Sequence, residues 1–181
     1  MPRCRPAFLL VLFALTLPLT LHAQRHDTAL SEGEVEKLRD AAYVPTDRVM
    51  VFIGFLDTRT KSLESLFAHS RRPGREEDAH DLFEQITEIS DELDDNLDDY
   101  AHRHQDIRKA LPKLIQATER WSTELKTPPD NEAYSVSRKL ALESINDIHE
   151  TATKLLEDQK AWFAAHPPPK ENKDAPALPQ N

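Results

Sequence analysis

Ile86, Leu93, Tyr100, Ile107, Leu114 and Trp121 recur every seven residues, flanked by Leu82, Ile89, Leu97, Leu111 and Leu125. A heptad sustained this long predicts one helix over 76–126, packed in a coiled-coil-like bundle. Pro112 falls inside it and removes one backbone hydrogen bond. Because the seven-residue phase continues past Pro112, a kink is expected there rather than a loop. A second series, Tyr134, Ala141, Ile148, Leu155 and Trp162, predicts a helix over 131–166. Pro128-Pro129-Asp130 stands between the two, placed to end one helix and cap the next.

Upstream, Ser31-Glu32-Gly33-Glu34 reads as a capping box, followed by Val35, Leu38 and Ala42 at helical spacing. Pro45 disfavours helical geometry at Val44 and predicts a break near 43–46. Thr46 or Asp47 is placed to cap the next helix, with Val49, Phe52, Leu56, Leu63 and Leu66 on its apolar side. Residues 49–56 are apolar all round and would also suit a strand, but helical flanks and the lack of a second strand favour helix. The surplus face, Met50, Val51 and Phe55, is expected either to be covered by residues 31–43 folding back or to serve as an oligomerisation surface. Pro73-Gly74 marks a turn within 70–75. The predicted fold is therefore all-α: an elongated antiparallel three-helix bundle over 31–166, becoming four helices if the arm breaks fully at Pro45.

The N-terminus changes the domain count. Arg3 and Arg5 precede an apolar run from Ala7 to Leu19, with a small residue for cleavage at Ala23. The run is too short to span a bilayer, so residues 1–23 are expected to be a signal peptide and the mature protein secreted or periplasmic. Cys4 is the only cysteine, so a mature chain cut at Ala23 has no thiol for disulfides, thiolate metal sites or nucleophilic catalysis. Residues 24–30 are expected to be flexible. The tail 167–181, with five prolines, is expected to be disordered. Three glycines in 181 residues argue against phosphate-cradling loops and doubly wound nucleotide folds.

Charge singles out one stretch. Residues 76–99 hold twelve Asp or Glu and no Lys or Arg, whereas 24–75 and 103–166 are close to balanced. Nucleic acid is an unsuitable partner for such a surface. Six like-charge pairs lie four residues apart here, among them Asp91/Asp95, Asp94/Asp98 and Asp95/Asp99. At roughly 0.2–0.5 kcal/mol each, they cost about 1–3 kcal/mol before compensation. Asp91, Glu92, Asp94, Asp95, Asp98 and Asp99 lie beyond the first turn, where the helix dipole would have favoured them. Counting along antiparallel neighbours brings only Arg48, Lys154 and Lys160 near them. These six form the candidate site, for a basic protein or envelope component or, alternatively, for cations or a metal. A calcium loop at 94–105 fails, since its sixth residue is Asp99 instead of Gly and its twelfth Gln105 instead of Glu. Asn96 falls on the core seam, where a buried amide sets register.

Glu77-x-x-His80 and Asp99-x-x-His102 have the spacing of carboxylate-bridged metal bundles, but both lie on one helix, and His149 is expected to face outward. No nucleophile elbow or catalytic triad pattern occurs. Trp121 and Trp162 occupy heptad positions and read as packing. A non-enzymatic protein without a cofactor is the expectation.

The passages DRVMVFIGFLDTRTKSLESL (47–66) and RRPGREEDAHDLFEQITEISDELDDNLDDYAHRHQDIRKALPKL (71–114) resemble a group of secreted, uncharacterised helical proteins encoded by acidobacteria. The resemblance carries no catalytic motif. It implies a bacterial envelope or secreted location, and no activity.

Overall fold

Ser31 caps the first helix as its sequence context dictates. Its hydroxyl accepts the Glu34 N–H at 3.4 Å, and the Glu34 carboxylate accepts the Ser31 N–H at 2.9 Å. The computed structural model describes residues 29–167. The expected signal peptide, residues 24–28 and the tail from 168 lie outside the described residues. Five helices follow in order: α1 (Glu32–Asp40), α2 (Pro45–Ala68), α3 (Arg75–His102), α4 (Leu111–Leu125) and α5 (Ser135–Ala165). No strand occurs among the described residues, and 49–56 lie within α2. No helix among the described residues is long and apolar enough to cross a membrane.

Pro45 breaks the first arm as expected, through a 3-10 turn at Ala41–Tyr43, and occupies the first turn of α2. There its missing N–H costs nothing, because that amide would have no intrahelical partner. Neither Thr46 nor Asp47 caps α2; Val44 holds the cap position, and the Thr46 hydroxyl donates to the Asp106 carbonyl at 3.3 Å. Asp130 likewise does not cap α5, which begins later, at Ser135; it pairs with Arg138 instead.

The single helix expected over 76–126 is two helices. The break lies upstream of Pro112, at residues 103–110. His104 adopts a left-handed φ of 50°, its N–H donates to the Ala101 carbonyl at 3.2 Å, and the Gln105 N–H donates to the Tyr100 carbonyl at 2.9 Å. This is a Schellman termination with His in the place usually held by Gly. Pro112 then sits in the first turn of α4, where it starts a helix rather than kinking one.

The break resets the topology. Arg48 meets Asn96 and Arg59 meets Gln85, so α2 and α3 run antiparallel. Asp57 meets Trp121, and Thr46 reaches the start of the crossover to α4, so α2 and α4 run parallel. Thr118 meets His149, and Arg138 reaches the Pro128 carbonyl, setting α5 antiparallel to α4. Asp91 meets Ser144 and Gln105 meets Gln159, so α5 is parallel to α3. The result is a four-helix bundle in which the consecutive helices α3 and α4 face each other across the diagonal, with α1 laid on α2.

The core follows the heptad. Ile86, Leu93, Ile107, Leu114 and Trp121 are fully buried and Tyr100 nearly so, even though the helix between Tyr100 and Leu114 is broken. Residues expected to fold back do so: Leu38 joins the core, as do Ala29 and Leu30, placed by the sequence in a flexible N-terminal segment. Phe55 is buried, and Met50 and Val51 are partly buried against the core. Two polar groups secure the joints. The Trp121 indole N–H donates to Asp57 at 2.7 Å. Gln159, itself buried, accepts from the Ile107 N–H at 3.1 Å and donates to the Gln105 carbonyl at 2.8 Å, fastening the α3–α4 crossover to α5. Trp162 departs from the expected packing role. It is only half-buried and packs on His104 of the α3–α4 crossover rather than in the core.

Candidate functional site

The acidic stretch lies on α3, whose inner face is fixed by Ile86, Ile89, Leu93, Leu97 and Tyr100. Burying that stripe turns the remaining positions outward, so the six candidate carboxylates share one arc about 160° wide at 100° per residue. The arc is not uniform. Glu92 and Asp99 lie on the side toward α2. Glu92 is 3.5 Å from the Arg48 guanidinium, and Asp99 pairs with Arg103, four residues on, at 2.9 Å. Arg48 also donates to Asn96 at 2.9 Å and to the Leu38 carbonyl at 2.9 Å. Asn96 therefore ties α3 to α2, consistent with a register-setting amide.

The other side of the arc faces α5. Asp91 accepts from the Ser144 hydroxyl at 3.0 Å. Asp94 is half-buried, and its Oδ1 is buried without a hydrogen-bond partner. Burial pushes its carboxyl above the usual range; the neighbouring charges of Asp98, Asp147 and Asp95 push the same way, against the Thr151 hydroxyl. Asp95 and Asp98 are exposed. Among the described residues, Asp91, Asp94, Asp95 and Asp98 form no ion pair. Lys154 does not reach them, and Lys160 pairs with Glu157.

That placement corrects the expected neighbours. The count assumed that the last helix runs antiparallel to the acidic one. Because α5 is parallel to α3, the facing residues are Ser144, Asp147 and Thr151. Asp147 extends the acidic surface onto a second helix, and nothing in its own sequence context marks it. Residues 94–99 lie inside α3, so the helical reading of the calcium-loop motif holds.

The histidines are arranged otherwise than their spacing suggests. His80 lies 3.6 Å from Asp81 and 3.5 Å from Glu84, not against Glu77, on the exposed side of α3. Donor atoms from these three residues all lie within 4.8 Å of one another, a spacing that could hold a metal ion. His149, expected to face outward, is half-buried with Nδ1 2.8 Å from the Thr118 hydroxyl. At the far end, the Trp162 indole is stacked between the rings of His104 and His166, with centroid separations of 4.4 and 4.5 Å. Arg108 covers the Phe163 ring at 4.3 Å. The sequence gives no sign of this stack, because it depends on the turn at His104.

No protein family matches the chain, and no similar protein is found among curated proteins or solved structures.

Proposed function

We propose that this is a non-enzymatic binding or scaffold protein of the bacterial envelope or secreted space, docking a basic partner on the outer arc of α3. The observation that carries this reading is the run Asp91, Asp94, Asp95 and Asp98. Among the described residues these four carboxylates have no cationic partner, and the acidic surface continues onto α5 at Asp147. An uncompensated acidic surface attracts a basic partner over long range and sets its orientation, and both effects weaken with salt. The signal-peptide reading of residues 1–23 supports the location. With Phe55 buried, the Met50, Val51 and Phe55 face offers less surface for oligomerisation than the sequence alone suggests.

A lysine-rich peptide titrated onto the full chain tests the docking surface. The expected result is binding at low salt that weakens as salt rises and is lost in an Asp95→Asn/Asp98→Asn variant that still folds. Equal binding by parent and variant rules out this surface.

One observation favours a second reading, a loosely held divalent cation. The buried Oδ1 of Asp94 has no partner, and three further carboxylates, Asp95, Asp98 and Asp147, bear on that side chain. Calcium should then raise the parent's melting temperature, and do much less for Asp94→Asn.

A further inference from the structure

Among the described histidines, His80 differs in what its ring meets. His69 and His166 each set Nδ1 against the carbonyl four residues back, at 2.6 and 2.9 Å, and His149 sets it against a hydroxyl. His80 instead faces a carboxylate with each nitrogen: Nδ1 is 3.6 Å from Asp81 Oδ1, and Nε2 is 3.5 Å from Glu84 Oε1. Neither carboxylate has a Lys or Arg partner among the described residues, and residues 76–99 contain no Lys or Arg. His80 is half-buried, and Ala79 and Phe83 beside it on α3 are fully buried, so the core fixes its backbone.

A neutral imidazole carries one N–H and one bare lone pair. The N–H can answer one carboxylate, which leaves the lone pair facing the negative oxygen of the other. Three things could mediate that contact, and each sets its own separation. A second proton would draw nitrogen and oxygen to about 2.7–2.9 Å. A bridging water, donating to both at about 2.8 Å, would hold them about 4.4 Å apart. A tetrahedral metal ion at about 2.1 Å from each would hold them about 3.4 Å apart. The 3.5 Å between Nε2 and Glu84 fits the third. Donor atoms of all three residues lie within 4.8 Å of one another, so Asp81 bears on the same contact.

We propose that His80 and Glu84 bind a divalent metal ion of the zinc class on the exposed side of α3. Nε2 and the Glu84 carboxylate are the protein ligands, with water in the remaining positions. Asp81 is a positioning residue: it accepts the Nδ1–H, which fixes the tautomer and turns the lone pair toward Glu84. The imidazole selects against calcium and magnesium, which take oxygen donors. None of the three residues belongs to the acidic arc of six carboxylates, so the site does not depend on that docking surface.

The test titrates the full chain with zinc chloride and follows the histidine ring nitrogens by NMR. His80 should respond first and saturably, with the metal on Nε2 and a proton kept on Nδ1. Asp81→Ala should weaken zinc binding by about tenfold and release the tautomer. His80→Gln and Glu84→Gln, which each remove a ligand, should weaken it further. All three side chains lie at the surface, so the variants should stay folded, as unchanged amide shifts elsewhere will report. Excess calcium should not displace the zinc, and Asp94→Asn should leave its binding unchanged. No saturable response of His80 up to millimolar zinc overturns the proposal, as does a response no earlier than that of the exposed His102. So does a doubly protonated His80 ring that zinc leaves unchanged, metal on Nδ1, displacement by calcium, or undiminished binding in Glu84→Gln.

Discussion

The two edges of α3 carry carboxylates at similar density and meet opposite surroundings. On the α2 edge, Arg48 reaches Glu92, Asn96 and the Leu38 carbonyl, while Arg59 binds Gln85 and pairs with Glu34 at 2.7 Å. On the α5 edge, Asp91, Asp94 and Asp98 meet two hydroxyls and another carboxylate, Asp147. The helix is the same; the neighbour decides. An acidic run on one helix is therefore two features, a cross-linked edge that holds α1 and α2 in place and an unanswered edge that is open to a partner.

Removing the core beneath both edges should have the largest effect. Leu93 is fully buried, and Leu93→Ala should cost about 2–5 kcal/mol in denaturant melts. A variant as stable as the parent would mean that the two edges are not built on a shared seam.

The α5 side has one strong polar tie to the α3 end, Gln159. Gln159→Leu strands the Ile107 N–H and the Gln105 carbonyl and should cost about 2–4 kcal/mol. The loss should appear first as faster amide exchange at 103–110. If exchange there is unchanged, the crossover is held by its own Schellman turn, and Gln159 contributes no polar support to it.

Acid titration separates the edges by sign. Arg59, chiefly through its hydrogen bonds to the carboxylate, holds Glu34 down to about 2 from an ordinary 4.5. Its contribution is fully present above pH 4.5 and is lost as pH falls toward about 2. At about 1.4 kcal/mol per pH unit it amounts to at most about 3.5 kcal/mol, before solvent screening. Asp94 behaves oppositely: its carboxyl is raised, so the folded state holds the proton more tightly and stability rises as pH falls through that range. Glu34→Gln should flatten the acid loss and Asp94→Asn should remove the acid gain. Melts across pH that show the same sign for both residues would erase the distinction between the edges.

The core was legible in the sequence, because a heptad reports burial directly. Tyr100, Ile107 and Leu114 are buried as read. The helix joining them was not legible as broken, because the turn at His104 preserves the seven-residue spacing of buried positions while reversing the chain. His lacks the freedom that makes Gly a visible termination mark at that position. Pro112 was visible, but a proline in a first turn and a proline at a kink look alike until the helix start is known. The acidic site was legible as a run of residues. Its division into paired and unpaired edges was not, because that depends on α5 lying parallel to α3. Arg48 was found as a partner and Asp147 was missed for the same reason: the first assignment survives the wrong topology and the second requires the right one.

The central claim is that the outer and α5-facing carboxylates are uncompensated by the bundle itself. The most direct measurement is the melting temperature of Asp95→Asn/Asp98→Asn against the parent, at low and at high salt. The double variant relieves three i,i+4 repulsions, so it should be more stable by about 0.6–1.5 kcal/mol at low salt. The gain should shrink as salt screens the parent's exposed charges. A clear loss of stability in the ligand-free double variant would contradict the account, because it would mean that these carboxylates are already paired within the fold.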